Sequence, residues 1–282
     1  MSSGPDRHSA AGRISFERIL RRDRALTAAG LVLLCVLAWV YVLTGAGTGM
    51  SVWAMTALSL FPHLDSAGEA ITPAWSAGYW LLMVAMWWIM MIAMMAPSAA
   101  PTILLYTRVH QHAGASGQHR DSLAPSGAFV AGYLFVWLGF SMLATLAQWS
   151  LERSGLLSAV TMGSQSRWLS AALLVAAGVY QFLPVKHTCL AHCRSPASFL
   201  SRHWRPHAAG AVRLGALHGA FCLGCCWVLM ALLFVGGVMN VVWIAALAVF
   251  VLIEKVFAAG RWVGRGVGVA LIVWGTATMW IK

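Results

Sequence analysis

Runs of about twenty apolar residues, separated by short basic segments, constrain this chain more than any other feature. A run of that length crosses the hydrocarbon core of a bilayer as a helix, because every backbone N–H and C=O there must be satisfied within its own segment. Such runs occupy 25–44, 76–96, 126–151, 168–183, 213–236, 238–257 and, more weakly, 262–281. Only 10% of the 282 residues are charged and 60% are hydrophobic, against roughly 25% charged in a soluble domain. The expected fold is all-α, a polytopic transmembrane bundle of about seven spans. The stretch 51–61, bounded by Pro62, is too short to cross and reads as an interfacial or re-entrant piece. Pro97 and Pro101 are expected to end or kink the second span. Gly264, Gly266 and Gly268 open the seventh, which is barely long enough to cross.

Orientation follows from the basic residues. With the N-terminus inside, the cytoplasmic segments hold six Lys and Arg (1–24), two (97–125), five (184–213) and three (255–265), and the outer side holds only Arg153, Arg167 and Lys282. That asymmetry predicts a cytoplasmic N-terminus and, for an odd number of spans, an external C-terminus. The chain then divides into an Arg-rich cytoplasmic tail, 1–24, and a single transmembrane domain, 25–282. A signal peptide is the competing reading of the first run, but its charged region and its apolar region would both be unusually long. Trp75, Trp80, Trp149, Trp168 and Trp280 fall near the ends of spans, as an aromatic belt would. The net charge of +11 is spent on these membrane flanks, so nucleic acid is not an expected partner.

Five of six cysteines lie between Cys189 and Cys226. One group, His187, Cys189, His192 and Cys193, sits just past the cytoplasmic end of the fourth run. The other, His218, Cys222, Cys225 and Cys226, lies inside the fifth. His218, Cys222 and Cys225 are spaced i, i+4, i+7 and project from one helical face. Gly215, Ala216, Gly219, Ala220 and Gly224 on the same helix would let a neighbour approach closely. Thiols and imidazoles so placed suit copper(I) or zinc. Redox thiol chemistry and plain apolar packing are the alternatives. Cys35, alone in the first run, reads as packing. The metal-site core therefore falls at about 186–230.

Three further features bear on function. Met83, Met86, Met90 and Met94 form a stripe down the second span, with Met91 and Met95 beside it. Such a stripe is either adaptable packing or a ladder of thioethers for Cu(I). Nine of the ten histidines (His8, His110, His112, His119, His187, His192, His203, His207 and His218) fall on or near the cytoplasmic side, and His63 outside. His8, His110, His112 and His119 read as solvated loop residues. Glu254, Lys255 and Lys186 lie near span ends, where long side chains snorkel to the interface; the functional alternative makes Glu254 an extra ligand or proton acceptor. Nucleotide-binding loops, nucleophile elbows, paired carboxylates and zinc-protease signatures are all missing, so the chain does not read as a hydrolase.

These strings also resemble a family of uncharacterised bacterial integral membrane proteins predicted to bind metal, some labelled copper chaperones. The resemblance rests on 90–98 (MMIAMMAPS), 178–186 (GVYQFLPVK), 189–196 (CLAHCRSP), 218–230 (HGAFCLGCCWVLM), 236–240 (GGVMN) and Glu254–Lys255, within roughly 80–256. Leu183 stands where the family carries Thr or Ser. The resemblance implies metal handling at Cys189, His192, Cys193, Cys222, Cys225 and Cys226, with His218 added by its helical spacing. The expected protein lies in the bacterial inner membrane and binds, delivers or moves a soft metal, copper ahead of zinc. Its partners are the metal ion, the lipid bilayer and other metal-handling proteins. In the reducing cytoplasm Cys189 and Cys193 stay free as ligands. A thiol oxidoreductase using Cys222 and Cys225, or an assembly subunit with no site of its own, are the other readings.

Overall fold

The computed structural model describes residues 7–47, 51–60, 74–115, 124–204, 207–257 and 259–280. Residues 1–6, Pro62, His63, His119 and Lys282, which entered the reading above, lie outside the described residues. Among the described residues every element is helical: α1 (Arg7–Leu43), α2 (Val52–Leu60), α3 (Ala77–Ala115), α4 (Ala124–Arg153), α5 (Arg167–Tyr180), α6 (Pro184–Arg194), α7 (Pro196–His203), α8 (Ala208–Ala231), α9 (Leu233–Gly236), α10 (Val241–Val256) and α11 (Gly260–Trp280).

Four stretches are long and apolar enough to cross a membrane: Arg24–Leu43, Ala77–Gln111, Ser126–Arg153 and Ala208–Gly236. The pair α5 and α6 makes a fifth if taken as one span bent by 63°. Pro184 opens α6 at its first turn, where a residue without an N–H is tolerated. The last two apolar runs form the 16-residue α10 and the 21-residue α11, which do not join that set. Outward faces stay apolar: Leu33, Val36, Leu37, Phe135, Leu143 and Val249 are all exposed. A continuous apolar exterior of this kind is compatible with a bilayer around it.

Of the two outcomes expected at Pro97 and Pro101, an end or a kink, the end does not occur: both lie inside α3, and the helix runs on to Ala115. Proline removes a backbone donor, and hydroxyls crowd the region: Ser98 Oγ donates to the Met95 carbonyl at 2.8 Å and Tyr133 Oη to the same oxygen at 3.2 Å. The extension also carries His110 into the packed part of the structure, where its ring meets Tyr106 and Trp204; a solvated loop histidine was the expectation. The short stretch before α3 does fold as the short helix α2. Thr56 Oγ accepts from the N–H of Val241 at 3.1 Å, seating α2 on the start of α10.

Glycine sets the closest helix pairings. A Cβ on Gly215 would strike the backbone carbonyl of Phe129, one on Gly132 would strike that of Val212, and one on Gly219 would crowd Val136 and Tyr133. Helices α4 and α8 thus run parallel in backbone contact. Small residues permit this approach in membranes as well as in soluble bundles. On the far side, Gly178 meets Gly268 and Ile272, and Gly275 meets Ala171 and Leu174, so α11 seats antiparallel on α5; of the three glycines that open the seventh run, Gly268 shares in this contact and a Cβ on Gly266 would meet nothing.

Charged residues expected at the interface are buried instead. Lys186, Glu254 and Lys255 are 1%, 3% and 6% exposed. Lys186 Nζ bonds both Glu254 oxygens at 2.8 Å and the Gln181 side-chain oxygen, tying α6 to α10. Gly264 leaves room for the Glu254 carboxylate against α11. Snorkelling fails as an account because Lys186 and Glu254 turn toward one another, which relieves the cost of their burial, while Lys255 turns inward to Ser98 and Cys222.

Two predictions follow from this packing. Gly215→Val should force α4 and α8 apart and destabilise the protein by about 1–3 kcal/mol or more, whereas Gly139→Ala, where the added carbon meets nothing, should be neutral or slightly stabilising; thermal unfolding in detergent reads both. Glu254→Leu alone should cost about 3–5 kcal/mol by stranding Lys186, and adding Lys186→Met should recover most of that loss. A single variant as stable as wild type would mean that the pair does not hold α6 to α10.

Candidate metal centre

The second cysteine group lies on the face of α8 that turns away from the exterior. His218, Cys222, Cys225 and Cys226 are all buried, as the i, i+4, i+7 spacing requires of one face. The Cys225 and Cys226 thiols turn back to donate to the Cys222 carbonyl at 3.1 and 2.9 Å. Three sulfurs are thereby gathered within one turn and a half of helix.

Four other elements close around them. From α4, Tyr133 Oη lies 3.1 Å from Cys222 Sγ. From α10, Lys255 Nζ donates to Cys222 Sγ at 2.8 Å and to Ser98 Oγ at 3.2 Å. From α3, Met95 Sδ lies 3.8 Å from Cys226 Sγ. From α6, Cys193 interacts with Cys225 thiol to thiol. Cys189 sits at the edge of the group: its Sγ rests over Gly224, 2.8 Å from where a Cβ there would be. Tyr180 Oη, donating to the Gly224 carbonyl, pins the same turn from α5.

The two predicted histidines take other positions. His192 stacks flat on Phe221, with centroids 4.1 Å apart and planes at 2°, and its Nδ1 lies 2.9 Å from the Thr188 carbonyl. That leaves Nε2 as its free nitrogen. His218 is enclosed by Phe129, Tyr133 and Phe199, and its Nδ1 has no hydrogen-bond partner. A buried ring nitrogen without a partner costs free energy, and this one lies one turn of α8 from Cys222. Among the described residues no three His, Cys, Asp or Glu side chains are set to hold one ion. The arrangement is instead sulfur-dominated, and Met95 belongs to it as much as any cysteine.

Met95, Tyr133, Ser98 and Lys255 were not in the sequence-derived ligand set. Met95 was visible beside the methionine stripe, and Lys255 as a charge at the end of an apolar run. Tyr133 and Ser98 carried no signal, since a hydroxyl in an apolar helix usually bonds its own backbone.

Chemically, the group can offer soft, polarizable donors and one fixed positive charge in a dry setting. Lys186 is neutralised by Glu254, but no carboxylate pairs with Lys255 among the described residues; its partners are a thiol and a hydroxyl. An ammonium so placed favours an anionic occupant beside it.

Comparison with known proteins agrees with this chemistry. No curated protein and no solved structure matches the chain. A family described as copper chaperone, PpoB2, matches residues 84–278, which is more than half of the chain and runs from within α3 to within α11. The match reaches beyond the strings recognised above to include the glycine-seated α11. The chain belongs to this copper chaperone family.

Proposed function

We propose that this protein is a multi-pass membrane protein of the bacterial inner membrane that binds Cu(I) among the sulfurs of α8, α6 and α3 and passes it on to another metal-handling protein. The observation that carries the reading is the convergence of Met95 on Cys226, with Cys222, Cys225 and Cys193 alongside. Thiolate and thioether donors select Cu(I). Metal–sulfur bonds of about 2.3 Å in a trigonal arrangement put sulfurs about 4 Å apart, close to the 3.8 Å between Met95 and Cys226. Cys189, His192 and His218 complete the candidate ligand set: the first at the edge of the cluster, the second through its free Nε2, the third through its unpartnered Nδ1.

Charge balance favours the monovalent ion. Two thiolates around Cu(I) carry one net negative charge, which the ammonium of Lys255 cancels. Two thiolates around Zn(II) are neutral and leave that ammonium uncompensated in a medium where net charge is costly.

In this reading seven helices cross the membrane: α1, α3, α4, the bent α5–α6 pair, α8, α10 and α11, with the N-terminus and the sulfur cluster toward the cytoplasm. The relative directions of the helices support it. Met83 faces Gln148 and Met95 faces Tyr133, so α3 and α4 are antiparallel. The pairing of α4 with α8 is parallel and that of α5 with α11 antiparallel, as alternating crossings from a common start demand. The basic segments and the 1–24 tail then lie on one side.

Purified anaerobically and titrated with a Cu(I) chromophoric chelator, the protein should hold copper stoichiometrically, and Cys222→Ser or Cys226→Ser should lose it. Lys255→Met should weaken Cu(I) by about 10- to 100-fold, the range for an outer-shell partner, and raise zinc occupancy relative to copper. Undiminished copper in both serine variants would sink the proposal. A reversible Cys222–Cys225 disulfide in metal-free protein would instead favour the oxidoreductase reading.

A further inference from the structure

The opposite end of the bundle holds a cavity of about 730 Å³, lined by Trp75, Trp80, Trp149, Glu152 and Arg153 among others. The tryptophans pack on one another around its mouth, Trp75 against Trp80 at 4.7 Å and Trp80 against Trp149 at 5.8 Å. Arg153 is drawn aside over Trp149. Glu152 faces inward, accepting from Trp75 Nε1 at 3.0 Å and from Gln148 Nε2 at 2.9 Å. The same Gln148 amide nitrogen reaches Met83 Sδ at 3.7 Å. A carboxylate in an aromatic cavity is thus one side chain removed from the first thioether of the α3 stripe.

From Met83 the stripe runs inward. Met83, Met86, Met90 and Met94 are all buried, as are Met91 and Met95, while Leu81 on the same helix is exposed. Methionine is therefore kept off the exterior of α3 in this stretch. Steps of three or four residues advance about 4.5–6 Å along a helix, a distance that side chains with three rotatable bonds can bridge. The stripe ends where Met95 meets Cys226. Twelve residues of helix separate Met83 from Met95, about 18 Å of rise, which is more than half of a hydrocarbon core about 30 Å thick.

We propose that the methionine face of α3 is a conduit for Cu(I) between the Glu152 cavity and the thiol cluster, so that the protein moves the ion across the membrane as well as holding it. The inference rests on the copper reading of the thiol cluster. Neutral thioethers suit the task, because conduction needs sites that bind well enough to admit an ion and weakly enough to release it. Each transfer exchanges one sulfur for the next, so copper stays monovalent and never travels bare. The carboxylate of Glu152 attracts the cation at one end, and the thiols with Lys255 hold it at the other. The competing account, adaptable packing, predicts that another side chain of equal volume would serve as well.

Leucine is that side chain, because Leu and Met exchange with little change in volume. Wild-type protein in vesicles, with Cu(I) outside under anaerobic reductant and an impermeant Cu(I) chelator inside, should fill the chelator faster than protein-free vesicles. M83L/M86L/M90L should slow filling at least about tenfold, which corresponds to about 1.4 kcal/mol on the barrier, while copper bound per purified protein stays at the wild-type value. Glu152→Gln should slow filling chiefly at low external copper. Should the triple variant not be recovered folded, M86L and Glu152→Gln carry the test. The conduit is overturned if the folded variants fill at the wild-type rate, or if wild-type vesicles fill no faster than empty ones although the purified protein holds copper. Purified wild type holding no copper would overturn the binding reading itself and the conduit with it.

Discussion

Backbone contact between α4 and α8 through glycine is the constraint on which the rest depends. Between helices in lipid there is no hydrophobic force to draw them together, so association relies on close packing. Gly132, Gly215 and Gly219 let carbonyls of one helix occupy the space a side chain would need on the other. That approach aims Tyr133 at Cys222 and holds the buried face of α8 against α4 over its length. The close-packed pair leaves the remaining face of α8 to α6, whose Cys189 rests on Gly224 by the same device. Glycine spacing thereby decides which sulfurs meet.

Charge adds a second constraint. The buried lysines and glutamate Lys186, Glu254 and Lys255 enter an interior that can hold few charges, and two cancel as Lys186 and Glu254. The third, Lys255, bonds Cys222 and Ser98 and pairs with no carboxylate among the described residues. An unpaired ammonium is retained in an interior when something anionic belongs beside it, and a thiolate complex of a monovalent metal meets that condition. The same interior would tolerate a neutral zinc dithiolate less well, because it leaves the ammonium uncompensated. Selectivity for one ion over another can therefore arise from a residue that need not touch the metal.

Much of this was legible in the sequence, for physical reasons that also mark where legibility ends. Helical spacing placed His218, Cys222 and Cys225 on one face, and the small residues of the same run announced a close neighbour; both are geometric consequences of 3.6 residues per turn. The partners across that face were illegible, because pairing of helices far apart in sequence leaves no local pattern. Tyr133 and Lys255 are 89 and 33 residues from the Cys222 they contact. Hydropathy misplaced Lys186, Glu254 and Lys255 for the same reason, since a charge near the end of a run looks like an anchor until its counter-ion is known. The surroundings of His192 were equally illegible: stacking on Phe221 and the Thr188 carbonyl occupy one face and one nitrogen of the ring and leave Nε2.

The two ends of the bundle differ in donor hardness, and the proposed methionine conduit would join them. A carboxylate and tryptophans line one end, thiols the other, and neutral thioethers run between. Ordered this way, affinity for a soft cation rises from hard oxygen through thioether to thiolate. A ladder of rising affinity draws an ion inward without an energy source, but it also traps the ion at the bottom unless something there competes for the ligands. Cys189 at the cluster edge beside Gly224 and His192 three residues on, both half-buried on α6, are placed for that competition. A partner that engages them would take the ion from the least enclosed side of the cluster, which is how a site of high affinity can still deliver.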